Sequence, residues 1–163
     1  MGHSTRSIGE FVDLLHAHGI TRIVDVRRFA GSRAHPQFNP PALERSLVRA
    51  GITYTPMPGL GGRRAPRPDS PHSAWRNAAF RGYADYMDTP EFAAAAASLA
   101  RLARRDRAAI MCAEAVWWRC HRSMIADFFK ANGWEVLHIM SMADAKEHPY
   151  TPVARNVGGS LTY

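Results

Sequence analysis

The amino-acid sequence predicts a single-domain α/β protein, a three-layer fold in which helices flank a mostly parallel sheet. Two observations lead there. A helical apolar pattern, a glycine and a short β-branched run follow one another three times along the chain. The 163 residues, 46% of them hydrophobic, fill one core and are too few for two comfortable domains.

The elements follow in order. Ile8, Phe11, Val12 and Leu15 recur at helical spacing behind Ser7, with Glu10 three residues later, the arrangement of a capping box. A helix is therefore expected over about 8–18, stopped at Gly19, with Thr21 to Val26 as a buried parallel strand. The second copy starts at Asn39-Pro40-Pro41, with proline in the first helical turn, ends at Gly51, and yields a strand over Ile52 to Thr55. Helices are also expected near Phe80 to Met87 and, behind the cap Thr89, from Pro90 to Arg105, where the alanine run favours helix. Ala108 to Cys112 reads as a short apolar strand. The third copy is a helix over about Arg122 to Ala131, Gly133, and a strand from Trp134 to Ile139.

Residues Gly59 to Pro71 are rich in glycine, proline and arginine and form a long loop, either a functional lid or disordered. The domain is expected to occupy residues 1–145, with 146–163 a weakly structured tail. Met1 to Ser4 stand directly before the first helix, where a parallel α/β fold places a strand. That strand is expected to be missing, and the open sheet edge this leaves would favour a homodimer.

No apolar run approaches the roughly 18 residues that span a bilayer, and Gly2 to Ser7 are polar, so neither a membrane helix nor a secretory signal is expected and a cytoplasmic location is. Cys112 and Cys120 lie too close in sequence to staple a secreted fold and are expected as reduced thiols. Of the 21 basic side chains all but Lys130 and Lys146 are arginine, and the net charge is +7. Arginine suits phosphate and carboxylate recognition, but arginine-rich codon usage produces the same count, so charge permits a nucleic-acid partner without establishing one.

In parallel sheets ligands gather at the carboxyl ends of strands, where helix amino termini present free amides. His3 and Ser4, Asp25 and Arg27, and the segment Cys112 to Arg122 all fall there. The chain resembles the domain-of-unknown-function family DUF488 through GHS at 2–4, VDVR at 24–27, Ser32-Arg33 before Phe38, Tyr54 before Leu60-Gly61-Gly62, MCAE at 111–114 and CHR at 120–122. The resemblance implies a compact α/β domain of bacterial and archaeal proteins, without assigning a reaction.

The residues themselves point to an anionic ligand, a phosphate-bearing small molecule or nucleic acid. Arg27, Arg33, Arg119 and Arg122 would bind charge, with His3 and Ser4 at a helix-start anion site. Asp25 would orient Arg27, or the two would form a structural ion pair. Glu114 and His121 are the candidates for proton transfer, Glu114 alternatively holding the arginines by a salt bridge to Arg122. Cys112, at a strand end, is a candidate nucleophile or a small buried side chain. Tyr54 and Trp117-Trp118 offer flat faces beside cations. Neither Cys-x-x-Cys nor His-Glu-x-x-His occurs, so no metal and no cofactor are expected. Two alternatives stay open: a non-catalytic nucleic-acid-binding module using arginines 63–67 and 101–107, and cysteine-dependent redox or sulfur-transfer chemistry.

Overall fold

A computed structural model describes residues 1–163. Helix α1 (Ile8–Ala17) begins at a complete capping box: Ser7 Oγ accepts from the Glu10 amide at 3.2 Å, and the Glu10 carboxylate accepts from the Ser7 amide at 2.7 Å. Gly19, at φ +63°, turns the chain into β1 (Arg22–Asp25). Helix α2 (Pro40–Arg49) then leads through Gly51, at φ +72°, into β2 (Thr53–Pro56). Helix α3 (Ala78–Met87) starts at Asn77, whose side chain accepts from the Ala79 and Phe80 amides. Helix α4 (Pro90–Arg105) starts at Thr89 and delivers β3 (Ala108–Met111).

These strands form a parallel sheet in the order β2-β1-β3, with Arg22 opposite Thr53 on one side and Ala108 on the other. Successive β1 residues serve two cores. Ile23 joins Phe11, Leu14 and Leu15 of α1 and Leu43 and Leu47 of α2. Val24 joins Tyr83 of α3, Phe92 and Leu99 of α4, and Ile125 and Phe129 of α5 (Arg122–Ala131). Burying both faces is what a continuous apolar strand requires.

The structure refines the expectations at three places. Ahead of α1 there is no strand, only a single parallel bridge between Gly2 and Cys112. The Met1 amino group donates to the Ile110 carbonyl, the Cys112 amide donates to the Met1 carbonyl, and the His3 amide donates to the Cys112 carbonyl, so residues 1–3 run parallel to β3. The strand expected over Trp134 to Ile139 shortens to β4 (Leu137–Ile139) and pairs antiparallel with β5 (Ala145–Glu147), outside the parallel sheet. Two physical reasons apply: the edge of β3 is taken by residues 1–3, and the Trp134 ring packs edge-on against Phe129 of α5. The loop after β2 is held by the fold rather than disordered. The Arg28 guanidinium donates to the Arg63 carbonyl, the Arg67 amide donates to Asp85, and Arg64 lies over the Tyr86 ring.

The tail carries a hairpin, β6 (Arg155–Val157) and β7 (Ser160–Thr162). It is moored to α5 by Asp127, fully buried, whose carboxylate accepts from His148 Nε2, the Thr151 amide, the Thr151 hydroxyl and the Tyr163 hydroxyl. No helix is long and apolar enough to cross a membrane.

Candidate functional site

Strand β1 ends at Asp25 and β3 at Met111, so the segments that follow them leave the sheet side by side. Between them opens a cavity of about 150 Å³ lined by Arg27, Arg28, Phe29, Gly62, Arg63, Cys112, Ala113 and His121. A second hollow of about 250 Å³ adjoins it, sharing Gly62, Arg63 and His121 and adding Asn77, Arg119 and Cys120. The long loop forms one wall because Gly62 lies flat on the His121 ring. A Cβ at Gly62 would meet His121 Nδ1 at 2.9 Å.

At the floor, the two thiols and an imidazole converge. One ligand atom each of Cys112, Cys120 and His121 lie within 4.8 Å of one another, with Cys120 Sγ 3.5 Å from His121 Nδ1. Beside them Arg122 is 1% exposed, the largest fully buried side chain of the protein. A buried guanidinium requires a compensating anion. Arg122 forms no salt bridge with a carboxylate; its Nε donates to Cys120 Sγ at 3.2 Å and its Nη2 to the Glu114 carbonyl. The anion is therefore the Cys120 sulfur. Its pKa is pushed down, first by the neighbouring Cys112 thiol and then by His121 and Arg122, against the opposing effect of burial. The Cys112 thiol is pushed up, by its neighbour Cys120 and by burial. His121 Nε2 is buried without a hydrogen-bond partner, a condition rare in folded proteins and one that a ligand, water or ion relieves.

The remaining expected residues divide into those at the cavity and those behind it. Arg27 reaches the wall but is already engaged: the Asp25 carboxylate accepts from its amide, Nε and Nη2, and the Tyr54 hydroxyl donates to the same carboxylate at 2.8 Å. Burial and Asp25 together push the Tyr54 pKa up. Asp25 and Tyr54 thus position Arg27 and do not line the cavity. His3, buried and stacked on Phe38, lies 3.3 Å through Nε2 from Arg27 Nη1, and burial pushes its pKa down to about 4. Ser4 takes the left-handed region, at φ +52°, and its amide donates to the Ala113 carbonyl. Arg33 is exposed and bonds nothing. The Glu114 side chain is exposed with no partner; the backbone carbonyl, not the carboxylate, holds Arg122. Trp117 stacks on His138 at 4.3 Å, which occupies its face.

Sequence reasoning missed Phe29 and Gly62 as lining residues, which come from loops, placed Arg63 only in the alternative nucleic-acid-binding module, and gave Cys120 no role. The arginines adjoining Phe29 and the Gly61-Gly62 pair were the available signals.

A parallel α/β domain with its cavity at the carboxyl ends of β1 and β3, walled by arginines and floored by a thiol–imidazole cluster, is the class these features define. The chain belongs to the family described as Domain of unknown function DUF488, whose sequence profile matches residues 7–129. Searches of curated proteins and of solved structures return no match.

Proposed function

We propose that the strand-end cavity binds a phosphate-bearing ligand of nucleotide type. The observation that carries this reading is the wall itself: Arg28 and Arg63 present cationic side chains at the mouth, and His121 and Cys112 close the base. Charge-assisted hydrogen bonds from guanidinium groups are the usual means of holding phosphate. Phe29 adds a reason to prefer a nucleotide over inorganic phosphate. Its ring is 63% exposed at the rim, with the Arg28 and Arg63 guanidinium carbons 5.5 and 5.7 Å from its centroid. An exposed aromatic face flanked by cations is a stacking platform for a base.

The cavity favours this over a module that binds nucleic acid along the outside of the fold. Of the loop arginines, Arg64 bonds the Gly61 carbonyl and Arg67 pairs with Asp85 and Asp88, leaving Arg63 directed to the cavity. Calorimetric titration with a nucleoside monophosphate and with its unphosphorylated nucleoside, at low salt, tests the reading. The monophosphate is expected to bind, the nucleoside much more weakly, and Arg28→Ala or Arg63→Ala to weaken binding about tenfold each, equivalent to about 1.4 kcal/mol. Equal affinity for both compounds would overturn the reading. Binding lost on replacing Arg101, Arg104 and Arg105 of α4 instead would transfer it to the outer surface.

A further inference from the structure

We propose that Cys112, Cys120 and His121 form an open metal site suited to zinc, with its fourth coordination position facing the strand-end cavity. Spacing along the chain argues against such a site, because neither cysteine has a ligand partner at a familiar interval. The fold overrides that. Cys112 ends one segment and Cys120-His121 the next, and the intervening turn, helical over Trp117–Arg119, brings them back together.

The geometry fits. Zinc–sulfur and zinc–nitrogen bonds of about 2.3 and 2.0–2.1 Å at tetrahedral angles place the sulfur and nitrogen about 3.6 Å apart. Cys120 Sγ and His121 Nδ1 are 3.5 Å apart, and the three ligand atoms lie within 4.8 Å of one another before any metal draws them in. Neither nitrogen of His121 is committed to a protein oxygen: Nδ1 faces the sulfur and Nε2 is buried without a partner. Two thiolates and a neutral imidazole balance a divalent cation, and this soft donor set selects zinc over magnesium or calcium. Arg122 Nε, 3.2 Å from Cys120 Sγ, supplies the outer hydrogen bond that orients a metal-bound thiolate.

The site is also reachable. Cys112 and His121 line one hollow, Cys120 and His121 the other, so a metal enters from the cavity and keeps one position open to it. Three protein ligands and an open position are the arrangement of catalytic rather than structural zinc.

Cobalt(II) titration tests this on the full chain, with metal removed, a non-thiol reductant present and no phosphate ligand added, so that its outcome is independent of the nucleotide reading. One cobalt per chain is expected to bind, with the thiolate-to-cobalt charge-transfer absorption of a tetrahedral site, and zinc is expected to displace it. Loss of an outer-shell partner typically weakens metal binding 10–100-fold. Cys112→Ser and His121→Asn remove ligands themselves and are each expected to weaken cobalt binding at least tenfold. Both residues stand at the cavity wall, so they decide the matter even if Cys120→Ser fails to fold. Absence of the charge-transfer band, or unchanged affinity in Cys112→Ser and His121→Asn, would overturn the proposal. So would isolation of the protein with a Cys112–Cys120 disulfide whose reduction restores no cobalt uptake.

Discussion

Replacing Arg122 with methionine keeps most of the buried volume and removes the charge. In the native fold the guanidinium stands 3.2 Å from Cys120 Sγ and bonds the Glu114 carbonyl, with no carboxylate to share the load. An opposite charge at such range depresses an acidic group by about 1–3 pH units, each equivalent to 1.36 kcal/mol. Arg122→Met is therefore expected to raise the midpoint of thiol alkylation by about 1–3 units. The assay is the iodoacetamide rate of metal-free protein against pH, resolved by cysteine through peptide mass. Arg119→Met, which removes an exposed arginine two residues from His121, serves as the control and is expected to leave the midpoint in place. Stability should fall by about 1.5–3 kcal/mol for the lost charge-assisted bonds, and protonation of the thiol recovers part of that. An unchanged alkylation midpoint in Arg122→Met would refute the argument that Cys120 is the counter-ion of Arg122.

Three further outcomes follow from other parts of the fold. Asp127→Asn leaves one acceptor oxygen for four donors and is expected to cost about 1–3 kcal/mol, with hydrogen exchange accelerating over residues 148–163; unchanged exchange there would show that the tail is held by something else. Gly82→Ala sets two effects against each other. Helix propensity favours alanine by up to about 1 kcal/mol, but its Cβ would stand 2.3 Å from the Arg64 carbonyl oxygen, and overpacking of about 1–3 kcal/mol prevails; a melting temperature above wild type would contradict this. Burial holds His3 down to about pKa 4 and His138 to about 3, so both stay neutral in the fold where the unfolded chain takes up protons below roughly pH 6.5. The unfolded state then binds more protons, so stability is present above that pH and is lost as pH falls toward 4. Melting temperatures that rise on acidification from 6.5 to 4 would oppose that assignment.

Much of the fold was legible because it is written in local signals. Ser7 and Glu10 fix the start of α1, Thr89 and the alanine run define α4 over Pro90–Arg105, and Gly19 and Gly51 mark the turns into β1 and β2. The run after Gly133 looked the same as those after Gly19 and Gly51, yet its strand lies outside the parallel sheet. Periodicity reports that a segment is apolar, not which neighbour it pairs with, and here the neighbour's edge was taken by residues 1–3. The tail was opaque for another reason: single polar contacts to Asp127 anchor it, and these leave no pattern. At the site, Cys112 to Arg122 stood out as a strand-end loop entering a helix, as the structure has it. Their convergence could not be read from spacing, because ligand spacing is a local rule, whereas Cys112 and Cys120 meet through the path of the loop. The Glu114 atom that accepts from Arg122 is its backbone carbonyl oxygen, not its carboxylate.

The most direct test of the central claim, that the strand-end cavity is the ligand site, is a backbone amide NMR titration of the full chain with a nucleoside monophosphate. Saturable shifts confined to residues 27–29, 61–63 and 112–122 are expected. Shifts absent there, or centred on Arg101, Arg104 and Arg105 along α4, would contradict it.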